Sequence, residues 1–313
     1  MGTCISKIWL NKPLPKPEEI MSTPNNSTNS YDHFRFSEGR RYHNVGNAVY
    51  FLPNDDDECD RLHLQHIMER FIWQSNFFSP VEDLLNQDGT MVLDSGTGAG
   101  SWPLEMAVNY PKSKFIGIDI SPVQSKENKP PNVEFIKANV LERLPFDDNT
   151  FDFIFQRFLT AGIPTDKWPS VINELVRILK PGGYLELAEN DIHYISMGPA
   201  SEKLIEGLSI LLHERGLDPT ACYKIQKYLE ENDQLHNVNC EEKKCVDDQD
   251  AIRVYKLLGE DYSTAMANMK PVLIHIVNVS NDEYDRLVKE FEKETIELES
   301  FTPHIRAYAQ KKF

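Results

Sequence analysis

The residues with chemical potential in this chain cluster around a glycine loop. Asp94 closes the apolar run 91–93, and Gly96, Gly98 and Gly100 follow at alternate positions. Glycines remove the Cβ atoms that keep a backbone away from a ligand. Ser101 and Pro103 come next, and both suit the start of a helix. A strand, a tight loop and a helix in that order form the nucleotide-binding corner of an open α/β sheet. A second carboxylate, Asp119, ends the run 114–119, nineteen residues after Gly100. An acid at the tip of a second strand can accept hydrogen bonds from both hydroxyls of a ribose. Its bland alternative is a helix cap before Pro122. Asn139 falls just past a third apolar run, where its amide oxygen can accept from an adenine amine. Gln156 and Arg157 end a fourth run and so point to the same crevice. This set is suited to holding a nucleoside. It contains no covalent nucleophile paired with a base.

The elements that must position these residues follow from hydrophobic periodicity. Short apolar runs at 91–93, 114–119, 132–140, 151–155 and 184–188 read as strands. Between them, 102–109 and 168–179 read as helices, the second with Ile172, Leu175, Val176 and Leu179 on its inner face. This alternation predicts a doubly wound, mostly parallel sheet. Before it, Asp56 to Glu58 open an acidic helix start. After it, helices are expected over 200–215, 219–231 and 251–277, with a break at Pro271. Ser280 to Glu283 form a capping box for one more helix, ending near Leu298. A sixth strand is expected within 235–246, and a seventh over 304–310.

Composition bounds the partners. The chain has 313 residues and a formal net charge of -16, which repels nucleic-acid backbones. Five cysteines, an odd number, and the lack of an apolar signal segment favour free thiols in a reducing compartment. No stretch is long enough to span a bilayer. No metal site is expected. Cys240 and Cys245 lack both zinc spacing and a second ligand pair, and His63 and His66 lack a third ligand. Residues 1–30 are rich in proline, asparagine and serine and read as a disordered tether. Gly2, with Ser6 behind it, fits an N-myristoylation signal, and Cys4 offers a second acylation site. Acylation would hold the chain at the cytoplasmic face of a membrane; without it the chain belongs in the soluble cytoplasm or nucleus.

Four motifs occur in order: Val-Leu-Asp-Ser-Gly-Thr-Gly-Ala-Gly at 92–100, Gly-Ile-Asp-Ile-Ser-Pro at 117–122, Leu-Pro-Phe-Asp-Asp-Asn-Thr-Phe-Asp at 144–152 and Leu-Lys-Pro-Gly-Gly-Tyr-Leu-Glu at 179–186. Together they resemble class I S-adenosylmethionine-dependent methyltransferases over about residues 40–313. The stretch Tyr50-Phe51-Leu52-Pro53-Asn54-Asp55 with Arg61-Leu62 is similar to fungal methyltransferases related to the velvet-complex regulator of secondary metabolism. The resemblance implies a seven-stranded Rossmann-like sheet whose last strand is antiparallel. It implies one domain over 31–313, with a cofactor core at about 88–190 and a helical cover at about 40–87 and 200–300. It also implies roles. Asp94, Gly96, Gly98 and Gly100 would line the methionine half of S-adenosylmethionine. Asp119 would hold the ribose, Asn139 and Val140 would flank the adenine, and Gln156 would sit near the methionine end. The family more often has Asp where this chain has Asn139, which keeps an acceptor and loses a charge.

A nicotinamide-dinucleotide enzyme is the competing use of such a sheet. Its fingerprint needs the third glycine one residue later, where this chain has Ser101. Glu189, Asp191, His193 and Tyr194 follow the fifth strand and could face an acceptor, but none is assigned as a general base. Met266 and Met269 read as core. Three readings stay open: transfer to a small molecule, transfer to a protein or regulation within a complex, and a cofactor-binding scaffold without turnover.

Overall fold

The computed structural model describes residues 34–313 apart from 38, 47, 125–128 and 247–250. The tether expected over 1–30, with Gly2 and Cys4, lies outside the described residues.

Val92 and Leu93 are neighbours with opposite fates, as the period-two geometry of a strand requires. They lie in β3 (Met91–Ser95), at the centre of the sheet. Val92 packs with Trp102 and Met106 of α3 (Ser101–Asn109), while Leu93 packs with Val171, Leu175 and Val176 of α4 (Trp168–Ile178). The ring of Trp102 stacks on Phe155 at 4.3 Å and fixes α3 against its face. Both faces of the sheet are therefore covered, the arrangement that parallel strands need.

Besides β3, the sheet comprises β4 (Lys114–Asp119), β5 (Val133–Lys137), β6 (Phe151–Arg157), β7 (Leu179–Asn190), β8 (Leu235–Lys243) and β9 (His304–Lys311). Their order is β5-β4-β3-β6-β7-β9-β8. The first five in this order are parallel, and β9 runs antiparallel to both neighbours. The expected doubly wound sheet is present, with its order reversing between β3 and β6. One strand is longer than its apolar run. Leu179 already pairs with Phe151, the segment 180–183 bulges outward with Gly182 at φ 78°, and pairing resumes at Tyr184.

A second layer of helices sits over the carboxyl ends of the strands. α5 (Pro199–Glu214), α7 (Ala251–Asn268), α8 (Lys270–Val277) and α9 (Asn281–Glu297) build their own core from Leu204, Leu208, Leu212, Met266, Leu273, Tyr284 and Phe291. The break expected at Pro271 falls at Met269, and the proline occupies the first turn of α8. The Ser280 side chain accepts from the backbone N–H of Glu283 and caps α9. The N-terminus of α5 is capped from a distance: Glu294 accepts from the backbone N–H groups of Ala200 and Ser201 and from the Ser201 hydroxyl. α1 (Asp56–Trp73) joins this layer to the sheet, with Met68, Ile72 and Trp73 against Val254 and Leu258. Two short helices complete the set, α2 (Glu82–Leu85) before β3 and α6 (Ile225–Glu230) before β8.

A short antiparallel hairpin, β1 (Phe34–Ser37) with β2 (Arg40–His43), precedes α1 and was not expected from the sequence. β1 is mostly exposed, so its alternation of phenylalanine and polar residues carries little burial signal.

Candidate functional site

One loop after β3 sets the geometry of the site. The backbone N–H groups of Gly96 and Thr97 both donate to the carbonyl of Ile118 at 2.9 Å, tying the loop to the next strand. Gly98 donates its N–H to Asp119 Oδ2 at 2.9 Å, and Ser121 donates its N–H to Asp119 Oδ1 at 2.8 Å. The Thr97 hydroxyl donates to Asp94 Oδ2 at 2.6 Å. Gly96 has φ 75°, and a Cβ there would lie 2.7 Å from Leu159, so the β6 loop can close over it only if the position is glycine. Gly100 has φ 85°, and its Cβ would strike Phe135 at 2.7 Å. Gly100 is the entry to α3 and fits against β5.

Around this loop lies a cavity of about 280 Å³ at the carboxyl ends of β3 to β7. Asp94, Gly96, Gly98, Asp119, Asn139 and Val140 line it, six of the expected positions. Gly100 and Gln156 are not among its lining residues. Gln156 is fully buried within the sheet, where its Oε1 accepts from the Ser95 hydroxyl at 3.1 Å. Asn139 Oδ1 accepts from the backbone N–H of Leu141 at 3.0 Å, which shapes the turn after β5.

The other lining residues carry weaker sequence signals. A strap of residues 50–54 lines the cavity and is pinned by the Asn54 amide, which donates to the Ser121 hydroxyl at 3.0 Å. Glu58, Arg61, Leu62 and Gln65 project from α1. Phe158 sits at φ 57°, a strained conformation for a bulky residue, and starts the loop that carries Leu159 and Thr160. Glu189 holds that loop. It accepts from the N–H of Leu159 at 2.9 Å, the N–H of Thr160 at 3.1 Å and the Thr160 hydroxyl at 2.8 Å. The far end is apolar, with Phe51, Ile192, Leu208, Leu212, Ala265 and Met269. Met266 is core, as expected; Met269 belongs to the same core and also lines the cavity.

Of the four residues considered as bases, Glu189 lies in β7 and lines the cavity. Asp191 accepts from His193 Nδ1 at 2.7 Å, and Tyr194 is packed edge-on against Tyr262 and Phe291. His63 and His66 serve packing and hydrogen bonding: His63 pairs with the Ser101 hydroxyl and His66 Nε2 with Glu105, each at 2.6 Å.

Charge decides what the cavity fits. Four carboxylates line it, Glu58, Asp94, Asp119 and Glu189, against the guanidinium groups of Arg61 and Arg157. Arg61 is paired with Glu58 at 2.6 Å and with Asp261 at 2.8 Å, which leaves Asp94, Asp119 and Glu189 against Arg157. Burial raises Asp94 to about 6 and Glu189 to about 7, and raises Asp119 in the same direction. A group with net positive charge relieves these carboxylates; a pyrophosphate would add to their repulsion.

Residues 92–183 match the family described as methyltransferase domain. The segment from β3 to the bulge of β7 is therefore similar to a methyltransferase domain. It is 32% identical over 212 residues to methyltransferase pytC of Aspergillus terreus, covering 65% of this chain and 63% of that protein. It is 30% identical over 158 residues to the secondary metabolism regulator laeA of Coprinopsis cinerea, covering 50% of this chain and 39% of that protein. The chain thus matches less than two thirds of the length of these relatives. Among solved structures, phosphoethanolamine N-methyltransferase 2 of Haemonchus contortus in complex with S-adenosyl-L-methionine is 18% identical at a TM-score of 0.47, covering 80% of this chain and 57% of that one. The matched residues 92–183 hold the loops after β3, β4, β5 and β6, and all four contribute to the cavity. S-adenosylmethionine is the cofactor of class I methyltransferases, and its net positive charge suits the carboxylate-rich lining.

Proposed function

We propose that this chain transfers a methyl group from S-adenosylmethionine to a small, largely apolar acceptor held in the same cavity. The observation that carries this reading is continuity. The carboxylate-lined space at the strand ends runs into an apolar chamber under α5, α7 and Met269. Ligand sites of this kind combine apolar walls with a few placed polar groups. The bound cofactor supplies an electrophilic methyl group on its sulfonium. The residues of this chain have three tasks. Asp119 receives the ribose, and Asn139 and Val140 border the adenine. The strap at 50–54 and the loop at 158–162 exclude water. The apolar chamber aligns the acceptor behind the methyl group. Glu189 positions the loop at 158–162 through three hydrogen bonds, so no general base is assigned.

The test uses labelled cofactor and an extract of small metabolites. Label recovered in an organic-soluble product supports the reading, and label recovered only on protein overturns it. The likeness to laeA favours a second reading, a protein methyltransferase or a regulator acting within a complex. Under that reading label lands on a protein, or Asp119→Ala weakens cofactor binding and leaves the biological effect intact.

For residues 1–30 we propose acylation at Gly2, reinforced at Cys4, placing the chain at the cytoplasmic face of a membrane. One myristoyl chain binds only marginally, so both sites would be needed for stable anchoring. Gly2→Ala should shift the chain from the membrane to the soluble fraction. An unchanged distribution would refute it and leave the soluble cytoplasm or nucleus.

A further inference from the structure

Arg157 is a partly buried cation that lines the cavity, and among the described residues it has no carboxylate at ion-pair distance. It ends β6 and is one of the cavity's lining residues. It lies near enough to Asp94 and Glu189 to pull both carboxyls toward ionisation. Yet among the described residues no carboxylate stands within 4.0 Å of its guanidinium. Its side chain donates once, from Nη2 to His66 Nδ1 at 3.3 Å. This bond makes His66 Nδ1 an acceptor and places the ring proton on Nε2, facing Glu105. Arg70 holds the same Glu105 from the other side. Burial, followed by the nearby charges of Arg157 and Arg70, keeps His66 well below its usual range and therefore neutral. The Phe155 and Phe158 rings lie 5.9 Å and 5.6 Å from the guanidinium carbon and help hold it in place. The guanidinium is thus aimed from behind, with donors left over on its cavity side.

A guanidinium shielded from much of the solvent, with no carboxylate at contact distance, gains from a ligand that completes it. The ligand must satisfy both signs, because Asp94 and Glu189 line the same cavity as the cation and, with the buried Glu69, act on its charge. A simple anion would meet two carboxylates, and a simple cation would meet the arginine. We propose that Arg157 receives the carboxylate of the cofactor's amino-acid tail while Asp94 and Glu189 flank its ammonium, so that the cleft selects a zwitterion. This rests on the cofactor reading above. Arg157 is a binding residue here, and its planar fork suits a carboxylate better than an ammonium would.

Calorimetry with two ligands tests it: S-adenosylmethionine and its decarboxylated form, which keeps the sulfonium and the ammonium. The native protein should bind the decarboxylated form about 30-fold more weakly, the loss expected for a charge-assisted pair. Arg157→Gln should weaken S-adenosylmethionine by a similar factor and bind the two ligands alike. Arg157→Lys should restore part of the preference. Equal binding of both ligands by the native protein overturns the proposal, and this arm decides the matter even if a variant fails to fold. An undiminished preference in Arg157→Gln overturns it as well. Binding of neither ligand to the native protein overturns the cofactor reading and this one with it.

Discussion

The two ends of the cavity are built by different means. At the strand end, lining residues arrive at fixed offsets from β3, β4 and β5 and are held by backbone hydrogen bonds, such as those of Gly96 and Thr97 to Ile118. At the helix end, Phe51, Leu208, Leu212, Ala265 and Met269 come from segments far apart in the chain and are held by packing and buried charge. Arg40 joins Asp55 to Asn268, Asn268 donates to Glu58, and Arg61 ties Glu58 to Asp261. The hairpin, α1 and α7 are locked together by that chain of contacts. The difference teaches which half can vary. Side chains can be exchanged in the chamber without touching the sheet, whereas the loop at 94–100 is fixed by backbone geometry.

Removing the lock should have the largest effect. Arg61→Met leaves Glu58 and Asp261 buried without their cation and should cost about 3–5 kcal/mol of stability in chemical denaturation. Stability within 1 kcal/mol of native would show that the helical cover does not depend on this network. Next comes Asp119→Ala, which should weaken cofactor binding by about 10- to 100-fold through the lost charged hydrogen bonds, with the helical cover intact by circular dichroism. Full affinity in that variant would remove the ribose assignment. Ala265→Phe fills the apolar chamber. Turnover of apolar acceptors should fall by about tenfold or more while cofactor affinity stays within about twofold, because a phenyl group adds bulk only at the helix end. A parallel loss of cofactor binding would show that the two ends do not act separately.

The strand end also carries a pH signature. Burial lifts Asp94 from 3.8 to about 6, so the folded protein keeps a proton that the unfolded chain has lost. Without ligand, this group's contribution to stability is therefore full below about pH 4 and falls as pH rises through about 6. A cationic ligand favours the ionised form, so cofactor affinity should drop below pH 6 by up to about tenfold per pH unit for one coupled proton. Calorimetry near pH 6 in buffers of different ionisation enthalpy should show proton release. Proton uptake, or affinity flat from pH 5 to 8, would contradict a coupled Asp94. The smallest effect is expected at Gln156. Gln156→Met should leave cofactor affinity within about twofold and cost about 1 kcal/mol through the lost bond to Ser95. A large affinity loss would return this residue to the site.

Much of the sheet was legible because short apolar runs between turn signals have few other uses. The helix restart at Pro271 and the Ser280 cap were legible for the same local reason. The hairpin was not, since four-residue strands with one exposed face carry little pattern. Gln156 shows the limit at single residues. Its position at the end of β6 could be read, but whether its side chain enters the cavity or the sheet depends on the pleat and on Ser95 across the pair. Arg157, one residue on, takes the opposite face and lines the cavity.

The order of strands and glycines along the chain determined, from sequence alone, the doubly wound sheet and the glycine loop at the carboxyl end of β3. That information is local, because a loop of this kind needs its glycines at fixed offsets from one strand. Tertiary structure alone decided the apolar chamber, the neutral His66 behind Arg157 and the glutamate that holds the loop at 158–162. Those features are made by residues that meet only after the chain has folded, and no spacing along the sequence encodes a contact between α1, β6 and α7.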